Sequence, residues 1–185
     1  RKIWDIHGGI HPPENKTQSL GEAIRPAGIP AQLIVPLSQH IGAPAAPIVE
    51  VGDRVLKGQM IAEAKGFVSA PVHAPSSGTV AAIEARVIPH PSGMSAPCII
   101  IHCDGQDEWI SHQGVADYTQ LDKPSLLELI RNAGIAGMGG AGFPSAVKLS
   151  GGKDKPIDTL ILNGTECEPY ITADDILMRE HAAEI

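Results

Sequence analysis

A chain of 185 residues has room for one ordinary domain or two small ones and can bury a real core. With 43% hydrophobic residues but only two each of Trp, Tyr and Phe, that core must be built from Ile, Leu, Val and Ala. A formal net charge of -7, with no cluster of Lys and Arg, argues weakly against nucleic acid as the main partner and fits plain solubility.

Residues 1–32 have no sustained period and carry Gly8-Gly9, Pro12-Pro13, Pro26 and Pro30. They read as an extended N-terminal segment that packs on a neighbouring domain. The opening Arg1-Lys2-Ile3-Trp4-Asp5 lacks the apolar core of a signal peptide. No run reaches the roughly 18 apolar residues of a membrane span, so membrane association is expected only through a partner or a surface patch. The chain starts without Met and ends inside an expected helix, so it reads as a fragment.

Strand-like runs begin at Gln32-Leu33-Ile34-Val35-Pro36-Leu37. Across 33–103 short apolar runs alternate with turn signals, which predicts a small all-β unit. Turns are expected at Gly52-Asp53 and Lys57-Gly58, with short strands after each, and at Ala74-Pro75-Ser76-Ser77 before a returning strand from Gly78. In these turns the stretch resembles the lipoyl/biotinyl carrier family, a flattened β-barrel-sandwich hybrid. Carriers hold a modified lysine at a hairpin tip, within Asp-Lys-Ala or Met-Lys-Met. Here the tip reads Ala64-Lys65-Gly66-Phe67-Val68, and counting back from Pro75 puts Phe67 near the modified position. Lys65 lacks the flanks that an attaching ligase reads, so scaffold and docking surface is the expected role, ahead of a swinging arm.

Cys98 and Cys103 flank Ile99-Ile100-Ile101-His102, a strand that sets them on opposite faces. Packing, not metal binding, is the expectation for both. With Cys167 the total is three and no Cys-x-x-Cys pair occurs, which fits a reducing, intracellular compartment and no disulfide framework. Residues 104–121 read as a polar connector with Trp109 as an anchor. From 122 the character becomes α/β. A helix over 125–133 is expected to bury Leu126, Leu129, Ile130 and Ala133, with Asp122 or Ser125 as its cap and Gly134 at its end. Residues 158–163 read as a buried strand, and Thr172-x-x-Asp175 as a capping-type start of a last helix over 172–185.

The richest segment is Gly137-Met138-Gly139-Gly140-Ala141-Gly142-Phe143-Pro144-Ser145-Ala146-Val147-Lys148. Glycines at this density let backbone N–H groups converge on an anion. Pro144 suits the first turn of a following helix, and Lys148 sets an ammonium one turn on, so phosphate is the natural guest. Gly137, Gly139 and Gly142 formally satisfy Gly-x-Gly-x-x-Gly, but a helix precedes them where the dinucleotide fold needs a strand. A Walker loop is excluded, because Phe143-Pro144 follows Gly142. Standing alone, the segment is better read as a glycine-rich turn without ligand.

Some twenty residues on comes Asn163-Gly164-Thr165-Glu166-Cys167-Glu168-Pro169-Tyr170, at the end of the expected strand, where ligands gather in open α/β folds. Asn163 offers a donor and an acceptor, and Glu166 and Glu168 offer acceptors for hydroxyls, a ring N–H or a carboxamide. A cationic nest at one end and carboxylates at the other suit an elongated nucleotide. The plainer reading leaves both glutamates as solvated loop charges.

Gly-x-Gly-Gly-Ala-Gly-Phe-Pro followed by Asn-x-x-Glu-x-Glu-Pro resembles the flavoprotein subunit of respiratory complex I. The opening Trp4-Asp5-Ile6-His7-Gly8-Gly9-Ile10-His11-Pro12-Pro13-Glu14-Asn15-Lys16 and the hybrid β domain are not complex I features. They are similar to the RnfC family of the Rnf electron transport complex, so the resemblance covers essentially the whole chain. It implies a mixed α+β fold: an N-terminal segment over 1–32, a barrel-sandwich hybrid domain over 33–103, a connector over 104–121, and over 122–185 the first part of an α/β FMN/NADH-binding domain. It further implies that Gly137, Gly139, Gly140, Gly142 and Lys148 approach the flavin phosphate, that Asn163 and Glu166 contact FMN, and that Phe143 and Glu168 lie toward NADH. The sequence departs from complex I at Met138, where that family has arginine, and at Thr165, where it has aspartate.

The implied reaction is hydride transfer from NADH to FMN, then single-electron transfer to two 4Fe-4S clusters, coupled to ferredoxin or flavodoxin. The cofactors carry the chemistry, and no general acid, nucleophile or metal ligand is expected in this chain. The family's cluster-binding Cys-x-x-Cys-x-x-Cys-x-x-x-Cys-Pro runs do not occur here, and Cys167 is read as loop packing. The second half of the nucleotide site is expected beyond Ile185, leaving this stretch inactive alone. Expected partners are NADH and the other members of a complex on the cytoplasmic face of the bacterial inner membrane. The competing readings are a docking scaffold, a carrier modified at Lys65, and the A-type component of the sodium-pumping NADH:quinone reductase. The last is disfavoured because both the glycine segment and the Glu-x-Glu-Pro segment are intact.

Overall fold

The computed structural model describes residues 7–112, 114–138, 140–151, 158–159 and 161–185. Contacts divide the chain into two compact units, one Gly28–Ile157 and the other Arg1–Ala27 with Asp158–Ile185. The expected boundaries near 32 and 121 thus stand beside a division that keeps the stretch after 121 with the β unit as far as 157.

In the larger unit the described strands are β1 (Gln32–Pro36), β2 (Ala46–Pro47), β3 (Arg54–Val55), β4 (Met60–Glu63), β5 (Val72–His73), β6 (Gly78–Val87) and β7 (Ser95–Cys103). They form a four-stranded sheet, ordered β1-β7-β6-β3, and a three-stranded sheet, ordered β2-β4-β5. All pairs are antiparallel. The core between them is aliphatic, as the composition required: Val35, Leu37, Val55, Ile61, Val72, Val80, Ile99 and Ile101. The expected turns form, with Gly52 and Gly58 at φ 100 and 79, a region closed to most side chains.

β7 is buried across Cys98, Ile99, Ile100 and Ile101, so both of its faces are covered. By alternation Cys98 shares a face with Ile100 and Cys103 with Ile101. Burial raises both thiols above their ordinary range. Both cysteines are free, and the described residues hold no cluster of three or more metal-ligating side chains.

The connector is pinned to the β unit. Lys57 N–H donates to the Glu108 carbonyl at 2.8 Å, Ile110 N–H donates to the Lys57 carbonyl at 3.0 Å, and the Lys57 ammonium lies 4.7 Å from the Trp109 ring centroid. Lys57 also pairs with Asp107 at 2.6 Å. Trp109 is the anchor that the sequence suggested.

Helix α1 (Lys123–Asn132) starts on the Asp122 carboxylate, which accepts the Ser125 N–H at 2.9 Å, and stops at Gly134 with φ 71. Its buried side differs from the expected one. Leu126, Leu127, Ile130 and Arg131 are half-buried, whereas Leu129 and Ala133 are exposed. The cause is local docking: α1 packs on α2 (Ser145–Ser150), and Arg131 reaches the carrier-type hairpin tip. That tertiary contact, not the apolar period, sets which stripe is covered.

In the smaller unit, Asn15 adopts a left-handed φ of 50 ahead of a 3-10 turn at Lys16–Gln18. Helix α3 spans Ala173–Glu180, shorter than the expected 172–185 because His181 leaves helical geometry. The strand expected over 158–163 does not form among its described residues, and Ile161 and Leu162 are 82% and 70% exposed. Leu160 lies outside the described residues. A buried strand needs hydrogen-bonding neighbours, and no described strand runs beside this one.

Candidate functional site

The glycine segment folds as a tight hairpin. Ser145 N–H donates to the Ile135 carbonyl at 2.9 Å and Gly137 N–H to the Phe143 carbonyl at 2.8 Å, with Ala136 and Pro144 bridged between them. The Gly137 amide is therefore turned to Phe143 and not toward a ligand. Gly140 and Gly142 hold φ 96 and 56, and their N–H groups enter no hydrogen bond among the described residues. Gly139 lies outside the described residues. Met138 is 99% exposed at the tip, and Lys148 is exposed on the short α2.

The base of this hairpin rests on the β unit. Ile41 N–H donates to the Gly142 carbonyl at 3.0 Å, and a Cβ on Gly142 would stand 3.1 Å from His40 Cα. The buried His40 ring in turn meets Ala70, its Nε2 at 3.0 Å from both the N–H and the carbonyl. Gln39, His40, His73, Gly134 and Gly137 line a cavity of about 260 Å³ beside the hairpin. Burial lowers His73 below the ordinary histidine range, and the Asn132 backbone carbonyl pulls the other way.

The carrier-type tip is tied down. Arg131 donates to the Phe67 carbonyl at 2.7 Å and to that of Gly66 at 3.4 Å, and Lys65 is paired with Glu63. A swinging arm needs a free tip, so the geometry supports scaffold and not carrier.

In the smaller unit Asn163, Glu166 and Glu168 share one loop. Asn163 Oδ1 accepts the Thr165 N–H at 3.0 Å, leaving its amide nitrogen without a partner among the described residues. Glu166 Oε1 accepts the N–H groups of Asp174 and Asp175 at 2.9 and 3.0 Å, capping α3. This corrects the expected Thr172 cap. Thr172 is buried and makes no capping bond, its hydroxyl facing the Ser19 carbonyl at 3.5 Å. The Glu168 carboxylate is exposed, as is Cys167. A cleft of about 390 Å³ runs between Thr165, Glu166, Cys167, Glu168 and Pro169 on one wall and His11, Pro12, Glu14 and Lys16 on the other.

Several residues of these sites escaped sequence reasoning. Ile41, His40 and Arg131 carried no motif. Lys16 stood in a quoted motif, yet nothing local showed that its ammonium reaches the Glu168 and Ile171 carbonyls at 2.9 and 2.7 Å. Trp4, Asp5 and Ile6 of that motif lie outside the described residues.

Comparison with known proteins identifies the family of the chain. Residues 4–106 match the RnfC barrel sandwich hybrid domain, and residues 130–185 match the Nuo51 FMN-binding domain. The C subunit of the ion-translocating oxidoreductase complex of Serratia proteamaculans is 54% identical over 184 residues, covering 100% of this chain and 26% of that protein. The same-named protein of Vibrio cholerae is also 54% identical, with 24% of its length covered, and that of Salmonella gallinarum is 53% identical, with 27% covered. The chain thus spans about a quarter of the length of these curated relatives. The barrel match takes in more than half of the chain, the FMN-binding match follows it along the sequence, and the chain belongs to the RnfC family.

Proposed function

We propose that this chain supplies the barrel and the first part of the FMN-binding domain of the NADH-oxidising peripheral subunit of a membrane-bound, ion-translocating electron transport complex. The observation that carries the reading is the glycine hairpin inside the Nuo51-matched stretch, whose Gly140 and Gly142 amides have no partner among the described residues. Unspent backbone donors with a lysine one turn on fit a phosphate anion. The second loop offers the complementary set, an amide nitrogen and carboxylates, which fits the polar edge and hydroxyls of a nucleotide.

FMN, when bound, supplies the capacity to take a hydride from NADH and release electrons singly. Gly139, Gly140, Gly142 and Lys148 would hold its phosphate, while Gly137 shapes the hairpin. Asn163, with its oxygen held by Thr165, presents its amide as a donor. Glu166 fixes the loop against α3 through one oxygen and offers the other to the flavin. By the family resemblance, Phe143 and Glu168 would serve NADH. Two 4Fe-4S clusters belong to the rest of the full-length protein. Ferredoxin or flavodoxin exchange, the companion subunits and a seat on the cytoplasmic face of the bacterial inner membrane complete the reading. No helix among the described residues is long and apolar enough to cross a membrane.

The test is an anaerobic absorbance titration of the full-length protein with NADH. Bound flavin bleached by NADH supports the reading. Protein that takes up no FMN on reconstitution and does not respond to NADH would sink it in favour of a docking scaffold.

A further inference from the structure

We propose that Lys16 is a positioning residue for the loop 163–171, and that residues 14–19 form a clasp holding that loop in its binding shape. The inference rests on the nucleotide-site reading of the loop given above.

Four contacts make the clasp. The Lys16 ammonium donates to the carbonyls of Glu168 at 2.9 Å and Ile171 at 2.7 Å. Tyr170 N–H donates to the Glu14 carbonyl at 2.9 Å, and the Ser19 hydroxyl donates to the Tyr170 carbonyl. All of them join residues more than 150 positions apart, so none follows from local chain geometry. They converge on the one described bulky residue with an unfavourable backbone: Tyr170 sits at φ 71, a region a tyrosine avoids unless its surroundings impose it. Here they impose it from both sides, at its own N–H and carbonyl and at the carbonyls of Glu168 and Ile171.

The clasp has a chemical side as well. Glu14, Glu166 and Glu168 line the cleft with Lys16, which is the cation among them. Lys16 is half-buried, and its ammonium commits two donors to carbonyls that would otherwise be left to water. It therefore fixes where the Glu168 backbone, and with it the carboxylate, stands in the cleft. The loop's shape is set by the N-terminal segment, and its ligand-facing groups are set by the loop.

The experiment compares full-length wild type with Lys16→Met, Lys16→Arg and Ser19→Ala. In flavin-free protein, backbone amides of 164–171 should exchange hydrogen about tenfold faster in Lys16→Met, with Lys16→Arg close to wild type, because only the donor to the carbonyls is lost. In reconstituted protein, KM for NADH should rise about tenfold in Lys16→Met with kcat within about twofold, and Lys16→Arg should restore it. Should Lys16→Met fail to fold, Ser19→Ala opens the same loop by a smaller step and is read the same way. Unchanged exchange in Lys16→Met and Ser19→Ala overturns the clasp, as does a loss confined to kcat. Wild type that binds no FMN overturns the flavin reading, and the exchange measurement still decides the clasp.

Discussion

The Arg131 guanidinium donates to the Phe67 carbonyl at 2.7 Å, tying helix α1 to the hairpin tip where a carrier domain would keep its mobile lysine. Replacing Arg131 with Ala should free the tip at a cost of about 1 kcal/mol in stability. Faster hydrogen exchange confined to 64–69 would register it, and unchanged exchange there would refute the tether.

Gly140 and Gly142 separate two effects that are often merged. Both hold positive φ, but a Cβ on Gly140 meets nothing within 4 Å, whereas on Gly142 it meets His40 Cα at 3.1 Å and the Gln39 carbonyl oxygen at 3.2 Å. Gly140→Ala should cost about 1 kcal/mol from backbone strain alone. Gly142→Ala should cost about 2–3 kcal/mol, because the hairpin must also lift from the β unit. Thermal melts of the two variants test the order.

Glu166 carries a structural duty whatever it does for a ligand. Glu166→Ala should lose about 1 kcal/mol of helix capping, while Glu166→Gln keeps an oxygen for Asp174 and Asp175 and should lose less than half of that. If both variants also weaken FMN binding in the full-length protein, the second oxygen is engaged with the ligand. If Glu166→Gln binds FMN normally, neither the negative charge nor that oxygen is required by the flavin.

Acid should loosen the larger unit in two stages. His73 is held below its ordinary value of 6.5, chiefly by burial, so the unfolded chain takes up its proton first and stability declines as pH falls below that value. Asp107 is held below the ordinary 3.8 by the Lys57 hydrogen bond and then by Ser76, and Asp104 first by Ser77. Their contribution is present above the unfolded value and is lost as pH falls through the folded ones. Melting temperature against pH should show both declines, and His73→Gln should remove only the first.

Much of the fold was legible because its signals are local. The turns at Gly52 and Gly58, the Asp122 cap and the Gly134 stop each depend on residues within one turn, and each stands where the sequence put it. The misses share a different cause. The apolar run at 158–163 looked like a strand, but pairing depends on a neighbour that no pattern names. The stripe on α1 was misread because Arg131 and α2 decide it. Glu166 took the capping role from Thr172 from eight residues before Asp174, beyond the reach of a capping-box motif. In the candidate site, chemistry-bearing residues were visible as motifs, whereas their supports, Ile41 under Gly142 and Lys16 under Glu168, were not.

The pairing of Glu14 with Tyr170 also sets an order of events during synthesis. The N-terminal segment is made before every strand of the barrel, yet its partners in 163–171 are made after all of them. The barrel can close as soon as β7 meets β1, a span of 70 residues from Gln32 to His102. At about 5–20 residues per second, the early segment waits about 8–30 seconds for partners more than 150 positions on, its backbone groups bonded meanwhile only to water. Its prolines and glycines then have a second use, since a stretch that cannot settle into a strand or helix of its own is kept from mispairing with the sheet edges forming beside it.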